Sequence, residues 1–226
     1  MPNPSGYLVP EGNKIMYLSD DELRRFFKAI DQVENEFRRL RDRAMFRLIL
    51  AFGLRVSEVP LLKVEDFNGS ISPAQLRVTR VKLKPFPKSH PKAGQKKPRA
   101  QRWYDLSKEN ERAVRAWLAV RGQHRYAKDN PALFLTFHSD EAHAFSTAHI
   151  YDLVRDYAKA AKLERHIWPH MWRHTTAVKM AVAGMSAYDI MHRLGHTSVL
   201  SGQTYVNRFG PEKAALDRKT DHSLEF

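Results

Sequence analysis

The chain reads as a mainly α-helical domain carrying one small antiparallel β-sheet, an α+β class. Apolar residues recur at helical spacing through most of the 226 residues, in stretches punctuated by serines and glycines. Strand-like alternation is confined to two pieces that flank a proline-rich stretch. No internal repeat or linker breaks the pattern, and 42% hydrophobic content suffices for one sizeable core.

The elements follow in order. Ser19-Asp20-Asp21-Glu22 is a capping box that opens a helix over LRRFFKAI. Residues 44–52 (AMFRLILAF) are strongly apolar and stop at Gly53, a C-terminal cap. Residues 57–62 predict a short helix capped by Ser57. Residues 76–83 (LRVTRVKL) alternate apolar and basic side chains, and residues 99–106 (RAQRWYDL) carry strand-like aromatics. The four prolines and one glycine of PFPKSHPKAGQKKP between them require a loop. A helix starts at Ser107, and Ala113, Val114, Trp117 and Leu118 give residues 109–120 one buried face. Residues 130–137 are a turn and a short buried segment. Helices over 146–161, 171–183, 186–193 and 198–207 complete the series, broken by Gly184 and Gly195.

Charge narrows the partner. A net charge of +13 and a pI near 10.0 point to a polyanion, with nucleic acid the default. Charge alone fits an anionic membrane surface or ribosomal RNA as well. No apolar run approaches the roughly 18 residues of a membrane span, and the N-terminus lacks a signal-peptide core. Without cysteine there is no disulfide and no thiolate metal site, which fits the cytoplasm. Residues 67–104 hold ten Lys or Arg and no acidic residue. Such a run is often only a solvated face. Set between two strands, it predicts a basic hairpin that reaches along a DNA backbone. Lys82, Lys84, Lys88, Lys92, Lys96 and Arg99 would contribute there through counterion release.

The chemistry-bearing residues lie at 170–205. His170 and Arg173, spaced i and i+3, share a helix face, and Pro169 ahead of them fits a helix start whose amides favour an anion. Leu194-Gly195-His196 forms a turn, and Tyr205 follows nine residues after His196. Guanidinium, imidazole and phenol together suit a phosphodiester: a donor fork, a proton carrier and a nucleophile. Each residue alone is ordinary. His-x-x-Arg pairs are common, a histidine at a helix end is usually a cap or a core residue, and a lone tyrosine is nearly always packing. Upstream, Arg55 follows a buried helix, and Glu58 one turn on is placed to orient it. A helix-capping salt bridge is the plain reading. The functional one is a second guanidinium converging with Arg173 on one phosphate.

In order and spacing these residues resemble the tyrosine recombinases, or phage-type integrases. That family's pattern is a Gly-Leu-Arg-x-Ser-Glu box, a hairpin lysine, His-x-x-Arg, Leu-Gly-His and a nucleophilic tyrosine. Arg55, His170, Arg173, His196 and Tyr205 match it one by one, with 23 positions from Arg173 to His196. The resemblance implies a catalytic domain over 17–209, an extension over 1–16 and a tail over 210–226. It implies a nucleophilic Tyr205, a base in His170, phosphate clamps in Arg55 and Arg173, and a further donor in His196. Counting back nine from Leu106 gives Lys97 as the leaving-group acid, with Lys96, Lys92 and Lys84 as alternatives in this longer hairpin. Implied partners are double-stranded DNA with specific recombination sites and a homo-tetramer on that DNA. Many members also carry an N-terminal core-binding domain, which is not visible here. The chain then resembles either a catalytic domain cut from a longer protein or a compact single-domain recombinase. The tail docks on a neighbouring protomer or folds back in cis. Neither cofactor nor metal is implied, and the setting is a prokaryotic host or mobile element.

Three other readings share parts of this pattern. A type IB topoisomerase uses similar residues, but the Leu-Gly-His turn and its spacing fit recombinases better. A non-catalytic DNA-binding relative would have lost at least one position of the set. A zinc enzyme would use the i, i+4 pairs His170/His174 and His192/His196. Yet there is no His-Glu-x-x-His frame, and Arg173 would repel the cation. His174 and His192 are therefore expected to pack or face solvent.

Overall fold

Local capping chemistry sets most of the helix boundaries in the structure, a computed structural model that describes residues 8–9, 14–80, 100–138, 141–195 and 198–211. The helices are α1 (Asp20–Asp31), α2 (Glu36–Phe52), α3 (Lys108–Gln123), α4 (Thr147–Ala160), α5 (Pro169–Val182), α6 (Ala187–Leu194) and α7 (Leu200–Phe209). Ser19, Asn35, Ser107, Ser146 and Ser186 each accept a hydrogen bond from the amide three residues on, at the starts of α1, α2, α3, α4 and α6. Gly53, Gly184 and Gly195 all take positive φ and end the helices before them.

Two boundaries differ from expectation. Helix α2 begins two turns earlier than its apolar run, because Arg41 and Asp42 are buried as a pair rather than solvated. Arg41 Nε donates to Asp42 Oδ1 at 2.7 Å and Nη1 to the Leu135 carbonyl at 3.2 Å, while the Tyr157 hydroxyl donates to Asp42 Oδ2 at 2.6 Å. Ser57 caps nothing. The following turn is a 3-10 segment, Val59–Leu61, in which Pro60 offers no amide and the residue before it is Glu58, whose carboxylate is used elsewhere.

The strands are β1 (Leu8–Val9), β2 (Lys14–Ile15), β3 (Phe67–Asn68), β4 (Gln75–Arg80), β5 (Ala100–Asp105), β6 (Leu135–His138) and β7 (Glu141–Ala144). They form three antiparallel sheets instead of the one expected, β1–β2, β3–β4–β5 and β6–β7. Strands of two to four residues are too short for alternation to betray them. The central sheet holds the register Leu76↔Tyr104 and Arg80↔Ala100. Along β4 burial alternates strictly, so Leu76, Val78 and Arg80 all point inward.

Helix α5 runs between two apolar clusters and is buried over nearly its whole length. Its start joins the main core, where Trp172 meets Phe26 and Phe46 at ring distances of 4.7 and 5.1 Å. Its later turns pack Ala177, Val178 and Ala181 against Ile190, Leu194 and Tyr205. The threonines it carries are satisfied internally: Thr175 donates to the Met171 carbonyl and Thr176 to the Leu50 carbonyl. A helix so enclosed holds its polar side chains in fixed directions.

Candidate active site

Arg173 is the centre of the site. It is 2% exposed, and its guanidinium donates to the Gly53 carbonyl at 2.6 Å and to the Leu194 carbonyl. It therefore ties the C-terminal ends of α2 and α6, where unpaired carbonyls gather and the helix dipoles turn negative. The glycines at both ends are required. At Gly53 φ is 55°, and an added Cβ would collide with Leu194 Cδ2. At Gly195 φ is 65°, and an added Cβ would lie 3.3 Å from the Arg80 side chain.

Glu58 organises the other cations. It is fully buried; Oε1 accepts from Arg55 Nη1 at 2.9 Å, and Oε2 accepts from the Arg55 amide at 2.9 Å and from Arg80 Nη1 at 2.8 Å. Burial opposes its ionisation, but the charge of Arg80, the Arg55 amide and the charges of Arg55 and Arg173 outweigh it and hold the carboxyl below the usual range. Arg80 also donates from Nη2 to the Phe52 carbonyl at 3.1 Å, the Tyr104 hydroxyl at 3.0 Å and the Arg193 carbonyl at 2.5 Å. Burial and the neighbouring Arg55 pull the Arg173 guanidinium down to about 9, with Glu58 acting against them. It is still charged at neutral pH. Three guanidiniums thus face one carboxylate, a formal excess of +2 (+3 and −1) in a largely buried cluster. Such an excess is costly until an anion offsets it.

Tyr205, on α7, is 7% exposed, and its hydroxyl lies 2.5 Å from Nδ1 of His174. Burial pushes the phenol up to about 12, while the charge of Arg173 works to lower it. Burial and then Arg173 push the His174 imidazole down to about 4, so the ring is neutral at pH 7. His174 packs, one of the two outcomes expected for it, and what it packs against is the Tyr205 hydroxyl. One residue past Arg173 on the helix, it is turned about 100° away from the carbonyls that Arg173 binds, and this direction meets α7. His170 is half-buried in the first turn of α5, and its ring lies 4.8 Å from that of His174 in an edge-on arrangement. His192 is exposed and stacks on Tyr188, as expected for a residue outside the site.

The structure thus brings Arg55, Arg173 and Tyr205 into one electrostatic neighbourhood, with His170 next to His174. His196, Lys97 and the hairpin residues Lys82, Lys84, Lys88, Lys92, Lys96 and Arg99 lie outside the described residues. Sequence reasoning missed Arg80, Tyr104 and His174. Counting by twos from Leu76 would have turned Arg80 inward; no spacing marks His174. Among the described residues no group of three or more His, Cys, Asp or Glu could hold a metal ion.

Residues 16–210 match the phage integrase family. The chain belongs to that family. Among relatives of this integrase-family chain, tyrosine recombinase XerC of Chromobacterium violaceum is 29% identical over 178 residues, 78% of this chain and 52% of that protein. XerC of Pelotomaculum thermopropionicum is 28% identical over 209 residues, 90% of this chain and 61% of that protein. The chain therefore spans between half and two thirds of the length of these curated relatives. A crystal structure of XerA recombinase superposes with a TM-score of 0.64 at 26% identity, over 93% of this chain and 66% of that one. A XerH site-specific recombinase bound to a palindromic difH substrate, in a post-cleavage complex, shares the fold with a TM-score of 0.70 at 24% identity, over 96% of this chain and 56% of that one. The helical integrase fold with small antiparallel sheets is the one expected. No helix among the described residues is long and apolar enough to cross a membrane.

Proposed function

We propose that the chain is a site-specific DNA recombinase that cleaves and rejoins DNA through a 3′-phosphotyrosyl intermediate on Tyr205. The observation that carries this reading is the +2 excess beside a buried phenol. A phosphodiester supplies one negative charge, its pentacoordinate transition state a second, and the phenol supplies a nucleophile. Arg55, the more accessible of the two arginines with 15% of its side chain exposed, meets the phosphate first, and Arg173 clamps behind it. Both would stabilise charge growing on the non-bridging oxygens in the transition state. The step balances simply. The Tyr205 oxygen bonds to phosphorus, the bond to the 5′ oxygen breaks, the phenol proton leaves by way of His170, and Lys97 protonates the departing oxygen. His196 donates to the same phosphate. Attack by a new 5′-hydroxyl reverses the sequence, so no cofactor or external energy source enters.

The partner is double-stranded DNA bearing specific recombination sites, with four protomers assembled on it in the cytoplasm. The catalytic unit spans 17–209, and the tail over 210–226 docks on a neighbouring protomer or folds back in cis. A nicked suicide substrate tests the reading: a denaturant-stable protein–DNA adduct should form with wild type and not with Tyr205→Phe. An adduct retained by Tyr205→Phe sinks it. Supercoil relaxation without strand exchange between sites would transfer the site to a topoisomerase.

A further inference from the structure

We propose that His174 is a positioning residue for the Tyr205 nucleophile, holding the phenol oxygen beside Arg173 through its Nδ1 contact. The inference rests on Tyr205 being the nucleophile. Three observations carry it. The Nδ1 to hydroxyl separation is 2.5 Å, and both residues are 7% exposed, so water does not compete for the contact. Helix α7 is anchored on either side of the bond: Tyr205 and Val206 pack on Ala177, Val178 and Ala181 of α5, and Phe209 meets Tyr17 edge-on at 5.4 Å. His174 follows Arg173 directly on α5, so one rigid helix sets both the phosphate clamp and the nucleophile's partner.

Positioning is what this pair can do, and deprotonation is not. The phenol sits at about 12 and the imidazole at about 4. The proton therefore stays on the phenol in the resting pair. The charged and titratable groups around the ring explain why: Arg173 and His170 from α5 and Tyr205 from α7 offer no carboxylate to stabilise an imidazolium. Before attack, a neutral ring protonated on Nε2 accepts the phenol hydrogen at Nδ1, and the hydrogen turns from there to the neighbouring His170 as the attack begins. Fixing that hydrogen fixes where the oxygen lone pairs point, which is the orientation an in-line attack needs.

Two neutral amides test it. Asparagine places its polar atoms near the Nδ1 position and glutamine places them farther out, so the two differ in reach and little in polarity. With the suicide substrate, His174→Asn should form adduct within about tenfold of wild type and His174→Gln should slow about 100-fold, the cost of roughly an ångström of misplacement. DNA affinity should be unchanged in both. A substrate with a 5′-bridging sulfur needs no proton on its leaving group, so the His174→Gln defect should persist with it. Equal rates for the two variants, or a defect that sulfur abolishes, would overturn the proposal. Adduct formation by Tyr205→Phe would instead remove the nucleophile assignment beneath it.

Discussion

Two buried clusters of charge sit in this one domain, and they are built on opposite principles. At Arg41 and Asp42 one cation meets one anion, and the Tyr157 hydroxyl and the Leu135 carbonyl take up further hydrogen bonds. The Tyr157 phenol is driven above its ordinary range by burial and then by Asp42, so it stays a donor. At Arg55, Arg80 and Arg173 three cations share Glu58. The first cluster is complete in itself. The second leaves cations in excess of its one carboxylate, an excess that the proposed phosphate would offset.

Removing one partner of the balanced cluster should have the largest effect. Asp42→Ala leaves Arg41 buried without its anion and should cost about 3–5 kcal/mol of folding stability. Chemical denaturation measures this; a loss under 1 kcal/mol would mean that water reaches the cluster. In the unbalanced pocket the penalty should fall on chemistry. Arg173→Lys keeps the charge and loses the fork, and strand cleavage should drop about 10²–10³-fold, or 2.7–4 kcal/mol. A drop below tenfold would show that charge alone suffices.

Acid should separate the two clusters next. His174 is held below its ordinary 6.5, so its share of stability is fully present above pH 6.5 and is lost as pH falls toward about 4. The loss amounts to about 3 kcal/mol. His174→Asn should flatten the stability profile in that window, and an unaltered slope would place the titration elsewhere. The smallest expected effect is direct. Inorganic phosphate at ten times its dissociation constant should stabilise the chain by about 1.4 kcal/mol, read as a rise in melting temperature. The rise should vanish in Arg55→Gln and survive in Arg38→Gln, since Arg38 lies outside the pocket. Equal rises in both would mean that phosphate binds elsewhere.

Legibility from sequence tracked how local the governing contacts are. Ser19, Ser107, Ser146 and Ser186 were readable as helix starts because each bonds an amide three residues away. Gly53 and Gly195 were readable because only their neighbours decide where a helix stops. Arg55 with Glu58 was readable for the same reason. Arg80 escaped because its decisive partner, the Arg193 carbonyl, is 113 residues away, and a basic run disguised it as one more solvated charge. His174 escaped because its meaning depends on where α7 packs. The early start of α2 escaped because Arg41 and Asp42 look exposed until Tyr157, 115 residues from Asp42, covers them.

The proposed role of Arg173 is to clamp a phosphate. Its hydrogen bonds to Gly53 and Leu194 also make it a tie-rod between the ends of two helices that lie far apart in the chain. Parting α2 from α6 would break both bonds together and strand a cation between two bare carbonyls. The floor of the pocket is therefore stiff. Any rearrangement that the proposed DNA contact demands would have to fall on parts of the chain other than this joint.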